Sequence, residues 1–94
     1  MPNIEMHGFD SGAVQKTYDK LVGLFLDASY ASKMVITGSR SGVRDLHGNL
    51  QPFLRICVTI ESVAKYLPDM KERLADIGFD IEVSLLHEFI SKKS

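Results

Sequence analysis

Hydrophobic and polar residues alternate over three stretches of the chain, and a period of two residues is typical of strands with one buried face. The first stretch lies within residues 1–9, where Ile4 and Met6 alternate with Asn3, Glu5 and His7. The other two are Phe53–Ile60 and Phe79–Leu85. A fourth, short stretch, Met34–Thr37, is rich in β-branched residues, which also favours a strand. The pattern therefore predicts four strands.

Two further segments place their apolar residues three and four positions apart, which predicts amphipathic helices. The first follows the Asp10–Gly12 cluster and extends to about Tyr30, and the second begins at Glu61 and stops before Gly78. Pro68 interrupts the second pattern, and proline removes a backbone donor from a helix. We expect either a kink or a helix that restarts at Pro68. The apolar positions are Val14, Tyr18, Leu21, Val22 and Phe25 in the first helix, and Val63, Tyr66, Leu67, Met70, Leu74 and Ile77 in the second.

The element order β-α-β-loop-β-α-β predicts a single α/β (α+β) domain over residues 1–94, built from two βαβ units. Each unit is expected to be right-handed with parallel strands. The units would form a four-stranded mixed sheet with both helices on one face. The residues expected beneath the helices are Ile4, Met6, Ile36, Leu54, Ile56, Val58, Ile81 and Val83. Ile60, at the end of the third strand, is expected to face the same way as Leu54, Ile56 and Val58. The opposite face would carry Glu5, His7, Arg55, Cys57, Asp80 and Glu82, with Arg55 paired to Glu5 or Glu82 across strands.

Composition excludes several classes of function. The chain has 94 residues, of which 45% are hydrophobic and 24% charged, and its net charge is −1. That charge gives no field to attract nucleic acid or an anionic membrane. No apolar run reaches the roughly 18 residues of a membrane span, and no secretory signal is recognised at the N-terminus. The single cysteine, Cys57, excludes an internal disulfide and fits a reducing cytoplasm. With one cysteine and three dispersed histidines, no metal site is expected.

Pro2 is the leading candidate for chemistry. Methionine aminopeptidases usually remove Met1 before proline, which would leave a secondary amine at the start of the first strand. A buried amine near cationic neighbours has a lowered pKa, and a neutral amine can act as a general base. The alternative is an ordinary proline near the start of the chain.

The segment between the second and third strands offers candidates for binding. It runs from Gly38 to Gln51, is rich in Gly, Ser, Asn and charge, and contains Arg40, Arg44 and His47. A loop of this length in a compact domain is usually functional. The arginines could also be ordinary solvated loop charges.

The opening residues, from Met1 and Pro2 to Phe9, resemble the start of the tautomerase superfamily, whose members use an amino-terminal proline as base. The doubled βαβ layout resembles the 5-carboxymethyl-2-hydroxymuconate isomerase and macrophage migration inhibitory factor branches of that family. The segment from Gly38 to Arg44 is similar to the arginine-bearing segment of the isomerase branch, and Phe79–Val83 resembles its last strand.

This resemblance implies an isomerase for a small carboxylated substrate with a keto-enol system. Pro2 would be the catalytic base, and Arg40 and Arg44 would hold the carboxylate. Separately from the resemblance, the place of His47 in the loop, next to Arg44 and Asp45, makes it a further candidate for the pocket. No metal and no organic cofactor would be needed. The resemblance also implies a homotrimer, which suits a small domain with a polar sheet face.

A different class of function also fits the element order. A ferredoxin-like sheet has the same order and serves in non-catalytic ligand-binding or oligomerisation modules. RNA binding would need exposed aromatic residues and a basic surface, whereas the open face offers only Phe53. Strand arrangement separates the two folds, because parallel outer pairs indicate the tautomerase layout.

Overall fold

The computed structural model describes residues 2–38 and 43–86 of the chain. The elements follow the predicted order and are β1 (Asn3–His7), α1 (Ser11–Phe25), a 3₁₀ turn (Ala31–Lys33), β2 (Val35–Gly38), β3 (Phe53–Thr59), α2 (Ile60–Arg73) and β4 (Asp80–Leu86). The two βαβ units predicted from the hydrophobic pattern are therefore confirmed.

The four strands form one mixed sheet in the order β2-β1-β3-β4. β1 is parallel to β2, β3 is parallel to β4, and the central pair β1 and β3 is antiparallel. Ile4 lies opposite Ile36 on one side and Ile56 on the other, so residues of like parity share a face across three strands. The parallel outer pairs confirm the tautomerase layout, and the ferredoxin-like alternative for the fold is wrong.

Both helices cover the same face of the sheet. One hydrophobic core contains side chains from the two central strands and from each helix, and its most deeply buried members are Ile4, Met6, Leu21, Leu54, Ile56, Val58, Met70 and Leu74. A buried side chain of this size contributes about 1.5–3 kcal/mol relative to exposure. The core therefore holds both βαβ units together and fixes the face on which the helices lie.

The first helix is shorter than the sequence predicts. Asp10 caps its N-terminus by accepting a hydrogen bond from the backbone N–H of Ala13 at 2.8 Å, but the helix ends at Phe25 and not near Tyr30. On a continued helix Tyr30 would lie about 140° from Phe25, away from the buried stripe. The turn after Phe25 instead brings Tyr30 into the core, where it is buried beside Phe25 and Tyr66.

The second helix departs from the prediction at both Ile60 and Pro68. Ile60 is the first residue of α2 and 61% exposed, so its predicted place on the buried face of β3 is wrong. Thr59 is the helix N-cap, and its hydroxyl donates to the Ser62 hydroxyl at 2.9 Å. The helix then continues through Pro68, so the predicted restart is also wrong. Pro68 and Ala64 are both exposed, which lets water solvate the Ala64 carbonyl that lacks its helical donor.

Candidate active site

Pro2 lies at the buried start of the first strand. Less than 2% of the residue is exposed. Asn3 pairs with Val35 in β2 and with Cys57 in β3, so the same register places Pro2 between Met34 and Val58. Alternation along the strand puts Pro2 on the helix-covered face with Ile4. The central position in the sheet holds the backbone nitrogen of Pro2 at a fixed point.

An apolar groove of about 240 Å³ opens beside this end of the sheet, between α1 and β2. Its lining residues are Tyr18, Val22, Phe25, Leu26, Ala31, Met34 and Ile36. Met34 is also the residue that the strand register places next to Pro2. The groove is therefore separated from Pro2 by the width of one strand spacing, about 4.8 Å.

Two of the loop residues predicted to bind substrate, Arg44 and His47, lie in a self-contained turn. Arg44 makes an antiparallel bridge with Leu50, and its guanidinium donates to the Gly48 carbonyl at 2.6 Å. The Asp45 carboxylate accepts the backbone N–H groups of His47 and Asn49, each at 2.9 Å. The hydrogen bond from the Asn49 backbone N–H is the main cause of the lowered pKa of Asp45. These bonds satisfy the turn internally and leave the His47 side chain exposed.

The fold does not bring this turn to Pro2 within one chain. The turn precedes Phe53, which pairs with His7, and Pro2 lies five residues before His7 on the same strand. At about 3.3 Å per residue these two levels of the sheet are roughly 16 Å apart. Arg40 lies outside the described residues. The binding roles of Arg40, Arg44 and His47 stay predictions.

The open face of the sheet carries the predicted charge network. Arg55 contacts Glu82 at 3.1 Å and Glu5 at 3.6 Å, which confirms the predicted pairing across strands. Nε2 of His7 lies 2.8 Å from Glu5 Oε1, and the His7 ring stacks on Phe53 with 4.9 Å between centroids. The contact with His7 is the main cause that lowers the pKa of Glu5. His7 thus packs against Phe53 and pairs with Glu5 on the polar face, which is a structural role.

Cys57 lies on the same face but is buried between strands. Burial, followed by the nearby Glu5 charge, raises the pKa of the Cys57 thiol to about 11. A thiol with this pKa stays protonated near neutral pH and is a weak nucleophile. Cys57 therefore belongs to the packing of the sheet.

A second polar cluster, missed by sequence reasoning, joins the ends of the two helices. The Tyr30 hydroxyl donates to the Asp69 carboxylate at 2.7 Å, and Arg73 donates to the same carboxylate at 2.8 Å. Arg73 also donates to Asp27 at 2.7 Å and to the Leu24 carbonyl at 2.9 Å. The sequence contains a signal for one of these contacts, because Asp69 and Arg73 have the i,i+4 spacing of a helical ion pair. The cluster ties the turn after α1 to α2.

Replacement of Asp69 by asparagine is expected to lower the free energy of unfolding by about 1–3 kcal/mol at pH 7, because charge-assisted bonds from Tyr30 and Arg73 are lost. Hydrogen bonds from Tyr30 and then Arg73 lower the pKa of Asp69. A carboxyl group whose pKa is lower in the folded protein than in the unfolded chain stabilises the fold at pH values above the unfolded pKa, about 3.9. This stabilisation is lost as the pH falls through the pKa of the folded protein. The difference in the free energy of unfolding between wild type and Asp69→Asn, measured from denaturation curves, should become smaller below about pH 4. Asp76→Asn, at an exposed position of the following turn, is the control and should change stability little.

Two classes of site find no support in the described part of the chain. Among residues 2–38 and 43–86, no group of three His, Cys, Asp or Glu side chains could hold a metal ion. Neither α1 nor α2 has the length and apolar character needed to cross a membrane.

The mixed sheet with parallel outer pairs and both helices on one face is a tautomerase-like fold. Among solved structures, the chain is similar to the crystal structure of a domain of unknown function (DUF1904) from Sebaldella termitidis ATCC 33386. The two share 18% sequence identity with a TM-score of 0.50, over 94% of this chain and 91% of that chain. At this identity the likeness shows the fold alone. No protein-family model matches the chain, and no curated protein matches its sequence.

Proposed function

We propose that this chain is a cofactor-independent tautomerase in which Pro2, once Met1 is removed, transfers a proton on a small carboxylated substrate. The observation that carries the proposal is the place of Pro2 in a tautomerase-like fold, at the buried start of a central strand and beside an apolar groove.

The chemistry follows from the state of the Pro2 nitrogen. While Met1 is attached, that nitrogen belongs to an amide and has no useful basicity. Removal of Met1 converts it into a secondary amine, and the apolar surroundings disfavour its charged form and lower its pKa. The neutral amine accepts the enol hydroxyl proton, the O–H electron pair forms the carbonyl π bond, and the C=C π pair moves to the adjacent carbon. That carbon then takes a proton from the protonated amine, which regenerates the neutral base. The sequence is redox-neutral and needs no cofactor.

The proposal assigns the substrate carboxylate to Arg40, with Arg44 and His47 in supporting positions. A guanidinium can hold a carboxylate through two parallel hydrogen bonds and also stabilises developing negative charge. Because the turn carrying Arg44 is roughly 16 Å from Pro2 along the sheet, these groups would serve Pro2 of a neighbouring subunit.

A homotrimer would supply that neighbouring subunit. Three features support assembly: the small domain, the two sheet edges formed by β2 and β4, and the exposed apolar residues Val83 and Leu85 on β4. Sedimentation equilibrium should give three times the chain mass at micromolar concentration, and a monomer there would contradict the assembly. The single cysteine, which has no partner for an internal disulfide, suits the cytoplasmic location that we also propose.

The test of the function compares two preparations that differ only at the N-terminus. One begins at Pro2 and the other retains Met1, and intact mass spectrometry verifies each. Ketonisation of the phenylpyruvate enol should be accelerated by the first preparation at least about a hundredfold more than by the second, which is the scale of general base catalysis. Equal rates near background would favour the non-catalytic ligand-binding or oligomerisation module.

A further inference from the structure

The methionine sulfur atoms of the chain differ in their access to solvent. The chain has four methionines, of which Met1 is removed in the proposed active form. Met6 and Met70 are 1% and 0% exposed, whereas Met34 is only partly buried and lines the groove between α1 and β2. Oxidants attack the sulfur atoms that they can reach. Of the methionines that the structure describes, Met34 is therefore the one that an oxidant in solution reaches first.

The thiol of Cys57 does not compete for the same oxidant. Burial raises its pKa to about 11, and peroxides react with the thiolate and not with the protonated thiol. Met34 by contrast has an open route, because the groove beside it has a volume of about 240 Å³. A water molecule occupies about 30 Å³ in the liquid, and hydrogen peroxide is larger by only one oxygen atom. The groove therefore admits hydrogen peroxide to the Met34 sulfur.

The fold also places Met34 beside Pro2. The pairing of Asn3 with Val35 sets Pro2 next to Met34, and neighbouring strands are about 4.8 Å apart. Both residues lie on the helix-covered face of the sheet. The Met34 side chain is unbranched and flexible, so its sulfur can approach the Pro2 ring across one strand spacing. A change in the polarity of that sulfur therefore acts on the surroundings of the proposed base.

We propose that Met34 is a site of reversible oxidation by peroxides, and that its sulfoxide holds Pro2 in the protonated, inactive form. The inference rests on the proposed function, since it assigns the regulation of that same site. In the oxidation, the lone pair of the sulfur attacks one oxygen of hydrogen peroxide and forms the S–O bond. The O–O bond breaks, and the second oxygen leaves as water after taking the proton of the first. The sulfur loses the two electrons that the peroxide gains, and methionine sulfoxide reductases reverse the change.

The sulfoxide acts on the Pro2 amine through its oxygen. A thioether is a weak hydrogen-bond acceptor, whereas a sulfoxide is polar. None of the groove's lining residues is charged, and Tyr18 contributes the one side-chain hydroxyl, so the new oxygen finds few donors there. A polar atom buried without a partner is unfavourable. The protonated Pro2 amine is a donor on the same face, and a hydrogen bond from it stabilises the charged form and raises the pKa of the amine.

The test treats protein that begins at Pro2 with hydrogen peroxide and follows each methionine by peptide mass spectrometry. Met34 should gain one oxygen at least about tenfold faster than Met6 and Met70, and equal rates would overturn the inference. Ketonisation of the phenylpyruvate enol should fall about tenfold at pH values below the amine pKa, the effect of raising that pKa by one unit. The pH profile should therefore move to higher pH with its plateau unchanged. The two epimer-specific methionine sulfoxide reductases should together restore the original profile.

Met34→Leu and Met70→Leu form a matched pair, because each exchanges a thioether for a hydrocarbon side chain of similar volume. Peroxide should leave the pH profile of Met34→Leu in place, whereas Met70→Leu should respond as the wild type does. Met34→Gln brings a polar oxygen to the same position without any oxidant. It should show the displaced profile before treatment, and it covers the case in which Met34→Leu fails to fold.

The same measurements separate failure of this inference from failure of the proposed function. A sulfoxide at Met34 with an unchanged pH profile, or an equal response to peroxide in Met34→Leu, would overturn the inference and leave the function standing. A loss of the same size at every pH would overturn the action through the amine. Untreated protein that begins at Pro2 and is no faster than protein that retains Met1 would overturn the function, and with it the regulation by Met34.

Discussion

Replacement of Gly8 by alanine is expected to destabilise the fold by about 2–4 kcal/mol. Gly8 has φ of +76°, a conformation that costs a residue with a Cβ about 1–2 kcal/mol. A Cβ at this position would also lie 2.5 Å from the Gln51 carbonyl oxygen and 3.2 Å from the Pro52 Cα. Both neighbours are backbone atoms at the entrance to β3, so relief of the clash requires a shift of the strand, which adds about 1–3 kcal/mol. Reduced freedom of the unfolded chain offsets less than about 1 kcal/mol.

Gly48→Ala is the matched control for this prediction. Gly48 has a similar φ of +86°, but a Cβ there would meet no atom within 4 Å. Gly48→Ala therefore has the conformational cost of a positive φ without the clash, and we expect it to lower the free energy of unfolding by about 1 kcal/mol. Urea denaturation of the two variants measures the difference. If Gly8→Ala and Gly48→Ala lower the free energy of unfolding equally, then the close approach of the Gln51 backbone does not constrain the turn between β1 and α1.

The fold was accessible from the sequence because the periods of two and of three to four residues are local signals. Ile4 and Met6 identified a buried strand face without knowledge of any partner strand, and the two helical stripes identified which side they cover. The end of α1 was not accessible in this way. It depends on Tyr30 packing against Tyr66, a residue of α2 that is distant in sequence. The contact of Tyr30 with Asp69, across 39 residues, is invisible to any local pattern for the same reason.

The candidate site could be predicted only in part. Pro2 could be named as a candidate because its proposed chemistry depends on its place at the start of the chain and on the strand that follows, and its role stays a prediction. The apolar groove was missed, because its walls come from α1, the 3₁₀ turn and β2, and the pattern of each element alone indicates only burial. The distance between the Arg44 turn and Pro2 depends on the register of β1 against β3, which hydrophobic alternation does not specify beyond parity.

Pro2→Ala is expected to lower kcat for enol-keto transfer about a hundredfold in protein whose Met1 has been removed. Alanine leaves a primary amine, which differs from the proline amine in basicity and has no ring to fix its position. The substitution should change KM much less, since the groove and the proposed carboxylate anchor remain. Stopped-flow kinetics with the phenylpyruvate enol over a range of pH measures both constants. The neutral amine is the reactive form, so activity should rise with pH through the amine pKa, and that pKa should move on substitution. A variant indistinguishable from wild type would leave Pro2 as an ordinary first residue of a strand.

Arg40→Ala should give the complementary result. Loss of a charged hydrogen-bonded contact costs roughly 1.5–3 kcal/mol, or about ten- to a hundredfold, and should appear mainly as weaker substrate binding. If the contact strengthens as charge develops, kcat should fall as well. Arg44→Ala is the control, because the Arg44 guanidinium is already bonded to the Gly48 carbonyl within its own turn. We therefore expect Arg44→Ala to cost some stability of that turn and, because Arg44 has only a supporting position, to raise KM much less than Arg40→Ala does. Equal increases in KM from the two substitutions would show that both arginines hold the carboxylate, and a change from Arg44→Ala alone would move the anchor from Arg40 to Arg44.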